Sequence, residues 1–461
     1  MASTATEREE VEEELMGLDP ERVEAILDAV EARDAARLTG LMAPLHAADI
    51  ADLLEQIGPS ERRGLLQLWS GEIDGEILSE IDESIREEVV EALPANVLAD
   101  AVRELETDDV VDILEDLDQP QQDKILDALD DADRVAVEQA MGYPEGSAGR
   151  LMQREVVVAP EHWTVGEAID FLRNEEWLPD QFYHVILVDP RMKPLGYVTL
   201  GRLLSSRREV RLRDIAEDSF RTLNATEKEE DVAYIFNQYH LISCPVVDDN
   251  DRLVGVITID DAMNVLDEEH EEDILRLAGV SDESSPTDGS FATARTRLPW
   301  LIINLFTASL SALVISQFEG TIAAIVTLAA LMPIVASTGG IAGTQSLAVS
   351  VRALATRDLT SSNARRVILR EIGAGLLNGV ALAAILGIAG TLIFGDVRLG
   401  VVLGLAMICN QVVAALGGVL VPLGLNRLGL DPALASGTFV TTLTDVMGFL
   451  AFLGFATMLL L

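Results

Sequence analysis

The sequence predicts a multidomain chain: an N-terminal all-α domain of helical hairpins, a duplicated α/β unit, an acidic connecting helix, and an α-helical membrane domain with five transmembrane helices. Three observations predict it. The excess of acidic charge lies in the first two thirds of the chain, a segment near residue 185 recurs near residue 245, and five long apolar stretches follow residue 297. The corresponding boundaries are 1–145 for the acidic helical domain, 146–214 and 215–266 for the repeats, 267–297 for the connecting helix and linker, and 298–461 for the membrane domain.

The chain has 461 residues, 49% of them hydrophobic, and a net charge of −44. Before Leu298 there are 71 acidic against 26 basic residues; from Leu298 onward six acidic residues face seven Arg. So negative a front half repels nucleic acid and anionic lipid and attracts cations. Only three Lys stand beside 30 Arg. A GC-rich or salt-adapted source would account for the bulk acidity, but not for where individual carboxylates sit. Cys244 and Cys409 are too few for a disulfide framework or a Cys-based zinc site, and the five His residues show no ligand spacing. The first residues are polar and acidic, so the expectation is no cleavable signal peptide, with the first apolar span directing insertion.

Residues 21–140 place Leu, Ile and Val at three- and four-residue spacing, as in Ile50-Ala51-Asp52-Leu53-Leu54 and Val110-Val111-Asp112-Ile113-Leu114. Gly58-Pro59 and Leu93-Pro94 break the pattern, giving a stack of helical hairpins whose handedness stays open. In the next region Val185–Asp189 followed by Leu195–Thr199 recurs as Pro245–Asp248 followed by Val254–Thr258. A helical segment precedes each copy (Val165–Arg173; Asp231–Gln238) and another follows. This duplicated hairpin-and-helix unit resembles a pair of CBS domains. Such pairs commonly hold adenine nucleotides, often with Thr followed three residues later by Asp. The second copy keeps that pair as Thr258 and Asp261, whereas the first has Thr199 and Arg202. A purely structural or cation-responsive pair is the competing reading.

Asp267–Asp273 holds six acidic residues in seven and continues as a helix through Ile274 and Leu277. Like charges at helical spacing repel by several tenths of a kcal/mol per pair. The run reads either as a solvated acidic face or as one that divalent cations bridge to another acidic domain. Ser281–Ser290 reads as a flexible joint, followed by Arg295 and Arg297 at the membrane.

Apolar spans are predicted at 298–318, about 322–349, 372–394, 399–424 and 433–461, long enough for a hydrocarbon core of about 30 Å. Arg352, Arg357, Arg365, Arg366 and Arg370 lie between the second and third. The positive-inside rule makes that connection cytoplasmic, hence the N-terminal region cytoplasmic and the C-terminus outside. The second span carries Pro333 and Ser337–Ser346, rich in Gly, Ser and Thr; small residues there serve either close helix packing or a polar path. In the fifth, Gly437, Thr441, Asp445 and Gly448 share one stripe. A carboxylate at bilayer depth costs about 2.5–3.5 kcal/mol on insertion scales and should face water or a partner. No basic partner is evident at that depth, which favours a cation site over a structural acid.

The order of these parts, with Arg297-Leu-Pro-Trp300, Gly339–Gln345 and Leu428–Gly448 as the sharpest stretches, resembles the MgtE family of magnesium channels and transporters. The resemblance implies a homodimer in the plasma membrane with its pore between the two membrane domains, and Mg2+ as both substrate and regulator. It implies a central site of Asp445, Thr441 and Gly448 on the fifth span with Gly340 and Thr344 on the second. It further implies cytosolic regulatory carboxylates, here Asp108, Asp109 and Asp112, then Asp261, then Glu269, Glu272 and Asp273. It also allows ATP at the CBS pair, with Thr258 and Asp261 as contacts. Ile341 departs from the family's Gly-Gly-Asn, and His240 and Asn264 stand where relatives often carry acids.

Magnesium prefers six oxygens in a tight octahedron and sheds its waters reluctantly, so one carboxylate per subunit among hydroxyls and carbonyls suits a hydrated ion. The expected function is Mg2+ uptake down the electrochemical gradient with negative feedback from cytosolic Mg2+. Alternatives are a transporter for Co2+ or Mn2+, proton coupling through Asp445, and a membrane-anchored CBS sensor of nucleotide or ionic strength. No nucleophile–base pair or phosphate-gripping loop is visible, so the expectation is no enzyme.

Overall fold

The computed structural model describes residues 18–175, 177–179, 181–217, 220–280, 290–433 and 436–461. The joint expected at 281–289 and residues 434–435 of the fifth-span motif lie outside the described residues. Two compact units are present, one up to Asp267 and one from Glu268.

The first unit begins with helices α1 (Pro20–Glu31), α2 (Ala35–Met42), α3 (Ala47–Gln56), α4 (Pro59–Trp69), α5 (Gly75–Ser79), α6 (Glu83–Ala92), α7 (Ala95–Val102), α8 (Thr107–Glu115), α9 (Gln119–Ala128) and α10 (Asp131–Ala140). Their apolar stripes meet in one core that includes Leu38, Leu53, Leu65, Leu78, Val89 and Ile113. Asp19, Asp34, Asp74, Asp82 and Asp118 each accept a backbone N–H at a helix start. Such N-caps contribute about 1 kcal/mol each and set negative charge at the positive end of the helix dipole. Part of the acidity is therefore local structure.

The hairpins are joined by a recurring device. Arg62, 2% exposed, donates through Nε to the Leu54 carbonyl (2.7 Å) and through Nη2 to that of Ile57 (3.2 Å), and pairs with Glu88. Arg86 donates likewise to the Ile81 carbonyl and pairs with Asp112 and Asp116. Gln122 donates to the Leu114 and Leu117 carbonyls. Each side chain donates to carbonyls in or just past the last turn of an earlier helix, where the regular i+4 N–H donors run out.

Two sheets of identical topology follow: β1 (Val158–Pro160), β2 (His184–Val188) and β3 (Pro194–Thr199), then β4 (Leu223–Asn224), β5 (Ser243–Val247) and β6 (Leu253–Thr258). In each, the first two strands pair parallel and the last two antiparallel. His184 opposite Thr199 corresponds to Ser243 opposite Thr258, and each hairpin slips register at the same place. The repeat read in the sequence is thus repeated geometry. His184 Nδ1 and Ser243 Oγ, at equivalent positions, hydrogen-bond to each other. Helices α11 (Val165–Asn174), α12 (Leu200–Ser205) and α13 (Glu229–Tyr239) flank the strands, and α14 (Ile259–Leu277) leaves the second sheet.

The second unit contains α15 (Ser290–Ser316), a short α16 (Glu319–Ala324), α17 (Thr327–Ala355), α18 (Ala364–Phe394), α19 (Val397–Arg427) and α20 (Ser436–Leu460). Among the described residues, five helices are long and apolar enough to cross a membrane. Their limits differ from the expected ones. A break at Ile325 (φ −132°) sets α16 apart, so the second span starts at Thr327. The third starts at Ala364, so Arg365, Arg366 and Arg370 are helical and only Arg357 stands between α17 and α18. α19 is the hub: 61% of its most apolar window is buried, against 11% in α15 and α18. It packs on α17, α18 and α20. Its approach to α18 needs glycine, since a Cβ on Gly400 would stand 2.4 Å from the Gly387 carbonyl oxygen.

Arg62→Ala removes both carbonyl contacts and leaves Glu88 without that partner. Chemical denaturation of the acidic helical domain should report a loss of about 2–4 kcal/mol; a loss below about 0.5 kcal/mol, typical of an exposed site, would show that the arginine does not hold the hairpins together.

Candidate functional site

Near the middle of α20, Asp445 is half-buried, and its carboxylate has neither an ion pair nor a hydrogen bond among the described residues. Thr441 Oγ1 donates to the Gly437 carbonyl (2.9 Å), and Thr344 Oγ1 on α17 donates to that of Ile341 (2.9 Å). A hydroxyl whose proton is committed to its own helix keeps its lone pairs for water or a cation. On α17, Ser337, Ile341, Thr344 and Gln345 are exposed, and Gly340 has open space where a Cβ would lie. The opposite side of α17 is packed: a Cβ on Gly343 would stand 2.6 Å from Val440 of α20.

Gly448 differs from its stripe-mates. It is buried against Asn410 of α19, where a Cβ would meet the amide nitrogen at 2.8 Å. Asn410 and Gln411, 0% and 2% exposed, donate to the carbonyls of Val335 (2.8 Å) and Thr338 (3.2 Å) on α17. Ser346 of α17 donates to Glu371 of α18 (3.2 Å), whose side chain is only 18% exposed. Sequence reasoning passed over these three polar groups: Asn410 and Gln411 sit in an uninterrupted apolar span, and Glu371 sits near a span end.

In the first unit, carboxylates gather where two helices begin. Glu106, Asp108 and Asp109 stand at the N-terminus of α8, and Asp260 and Asp261 in the first turn of α14. Asp108 is 8% exposed. Gln153 donates to Glu106, the Asp109 backbone N–H to Asp108, and Thr258 Oγ1 to Asp261 (2.8 Å). Burial, reinforced by the neighbouring negative charges, pushes Glu106 and Asp261 up to about 7 and Asp109 to about 6, and raises Asp108 as well. Asp112 lies apart from this group in one respect, being paired with Arg86 at 2.9 Å. Glu106 and Asp260 were not singled out by sequence; each lies within two residues of one that was. Among the described residues, no three His, Cys, Asp or Glu side chains converge on one point as ligands of a bare metal ion. The donor set is hard oxygen throughout, the chemistry of Mg2+ or Ca2+ held through water.

Thr258 also lines a cleft between the two sheets, with Val157, Phe182, His184, Ser243 and Val256. Its volume of about 20 Å³ holds roughly one water. Burial holds His184 down at about 4. Glu269, Glu272 and Asp273 are on the part of α14 that belongs to the second unit. There Arg276 pairs with Glu272 (2.8 Å) and with Asp431 (2.9 Å) just before α20, and Leu277 packs with Leu347, Val351, Ala433 and Val440.

Family models match in the same order: the MgtE intracellular N domain over 45–146, CBS domains over 148–209 and 212–268, and the MgtE divalent cation transporter over 332–455. The magnesium transporter MgtE of Thermus thermophilus is 32% identical over 442 residues, covering 95% of this chain and 98% of that protein. The chain belongs to the MgtE family. The Enterococcus faecalis magnesium transporter MgtE is 35% identical over 326 residues, covering 70% of this chain and 71% of its own length. A solved cytosolic domain of the Mg2+ channel MgtE in complex with ATP is 28% identical, covering 53% of this chain and 99% of that one, with a TM-score of 0.49. The chain is accordingly a multi-pass membrane protein of a magnesium-transporting family, with the helical, CBS and membrane parts of an MgtE protein.

The carboxylate cluster makes a prediction about pH. Folded pKa values above the ordinary carboxylate range mean that the native state binds more protons than the unfolded one between about pH 4 and 7, so stability falls as pH rises through that window. The metal-free protein in detergent should have a higher melting temperature at pH 5 than at pH 7.5. Millimolar Mg2+ should recover the difference, and Asp108→Asn should shrink it. A pH effect that Asp108→Asn leaves intact would assign the effect to the general acidity of the chain.

Proposed function

We propose that this MgtE protein conducts hydrated Mg2+ into the cell down its electrochemical gradient. In this reading two copies pair so that α17 and α20 line the path, with the acidic domains cytoplasmic and the C-terminus outside. The observation that carries it is the carboxylate of Asp445, which has neither an ion pair nor a hydrogen bond among the described residues, one turn from Thr441, whose hydroxyl proton is committed to its own helix. An unpaired acid at that depth costs about 2.5–3.5 kcal/mol unless water or a cation reaches it. An inside-negative potential contributes about 2.3 kcal/mol per charge per 100 mV, and twice that for a divalent ion. Gly340 and Thr344 would face the path, and Gly448 would support Asp445 from the packed side. Ile341, at 57% exposed, brings an apolar side chain where the family has an amide.

Regulation rests on Asp108, Asp109 and Asp261, with Glu106 and Asp260. Cytosolic Mg2+ relieves their repulsion and favours a closed state, a population shift through differential binding. Glu269, Glu272 and Asp273 on α14 would carry that state to the membrane helices, where Arg276 meets Asp431. A nucleotide at the CBS pair is the secondary element; it would require the one-water cleft beside Thr258, to which Asp261 is hydrogen-bonded, to widen. Transport of Co2+ or Mn2+ by the same path is the second reading; a hydrated-ion site of one carboxylate and hydroxyls discriminates weakly among divalent ions.

In liposomes loaded with a magnesium-sensitive dye, wild type should admit Mg2+ while Asp445→Ala shows no uptake above empty vesicles. Uptake by the variant at the wild-type rate rejects the reading, and Co2+ or Mn2+ entering in preference to Mg2+ reassigns the substrate. Neutralising Asp108 and Asp261 together should keep the path conducting at millimolar internal Mg2+; closure equal to wild type removes these residues from regulation.

A further inference from the structure

We propose that Asn410 is a positioning residue of the ion path, setting the separation of its two walls from a helix that does not line it. This rests on the reading that α17 and α20 flank the path. The Asn410 side chain leaves α19 fully buried and enters the seam between the other two helices. A Cβ on Gly339 of α17 would stand 2.1 Å from its amide nitrogen, and one on Gly448 of α20 would stand 2.8 Å away. Neither helix can move toward α19 without meeting this amide. Gly339 adjoins Gly340, and Gly448 lies one turn beyond Asp445, so the wedge sits level with the groups assigned to the ion.

The chemistry of the wedge separates positioning from filling. Asn410 Nδ2 donates to the Val335 carbonyl at 2.8 Å, while its Oδ1 is buried with no partner among the described residues. An unsatisfied buried carbonyl oxygen is unfavourable, and an apolar side chain of the same size would fill the seam without it. What an apolar residue cannot do is hold a chosen carbonyl of α17. Gln411, the next residue, holds a second carbonyl at Thr338. The two amides grip α17 over the turn that leads into Gly339 and Gly340, fixing both its distance from α20 and its rotation. Rotation decides whether Gly340 and Thr344 or a packed face is turned to the path. Supporting groups of this kind around a metal site typically change ion affinity about 10–100-fold when removed.

The test uses the full-length protein in liposomes with an internal magnesium-sensitive dye, and a melting curve for each variant. Asn410→Leu keeps the branched heavy-atom shape, with slightly more bulk, and removes the donor. Its half-saturating Mg2+ concentration should rise about tenfold or more with a melting temperature at or above that of wild type. A steric-filler role would instead leave the half-saturation point unmoved, or lower flux only in proportion to folded protein, and either result overturns the assignment. Gly448→Ala pushes a methyl into the amide and should also reduce flux. Asn410→Ala combined with Gly448→Ala should lose less than the two single losses together, because the truncated side chain leaves room for the methyl. Independent, additive losses overturn the assignment even if Asn410→Leu fails to fold. Wild-type flux abolished by Asp445→Ala but unaffected at Asn410 rejects this proposal alone. A wild type that carries no Mg2+ rejects the transport reading and this proposal with it.

Discussion

A carboxylate in the middle of a membrane helix has three ways to be tolerated: protonation, an opposite charge, or access to water and ions. Asp445 has no opposite charge among the described residues, and the rest of the second unit is arranged around that fact. The neighbouring threonines direct their protons into their own helix and their lone pairs away from it. Gly340 on α17 leaves space instead of side chain. α19 supplies the packing that α17 and α20 would otherwise need on their other faces. The cost of one negative charge thus constrains which helices can be central and which residues can be large.

The soluble half manages negative charge by a different route. Many of its aspartates are consumed as helix caps, and Arg62 and Arg86 are consumed in holding hairpins together. What remains is a group of acids at the starts of α8 and α14, where two helix dipoles offset part of the repulsion. Burial then makes the offset insufficient, as the upward displacement of Glu106, Asp109 and Asp261 indicates. Any ligand that binds only the folded state of such a cluster raises its stability. A well-satisfied cluster would bind nothing and report nothing.

The two units therefore use the same principle at different depths. Each holds carboxylates that no cation among the described residues pairs with, and in the proposed reading a mobile ion takes that role. They differ in solvent. In the cluster of the first unit, screening and protonation limit the cost; in a membrane helix, screening is weaker and access to water or an ion matters more. The buried amides of Asn410 and Gln411 fix two carbonyls of α17 by hydrogen bonds in that setting.

Period and charge were enough, from sequence alone, to read the helical front, the duplicated strands, the five spans and the isolation of Asp445. These are local properties: the spacing of Leu53 and Leu54, the recurrence of Thr199 as Thr258, the absence of Lys or Arg near residue 445. Span limits were less legible, because Arg365 and Arg370 read as a loop by charge yet continue a helix whose backbone is satisfied internally. Which face of a helix meets which neighbour was not legible at all. Gly340 and Gly448 look alike in the sequence, but one stands open and the other is packed on Asn410. Asn410 itself is one amide in an apolar run until α17 and α20 close around it. Periodicity reports what a residue's own helix demands. Partnership between helices depends on distances that only tertiary packing sets.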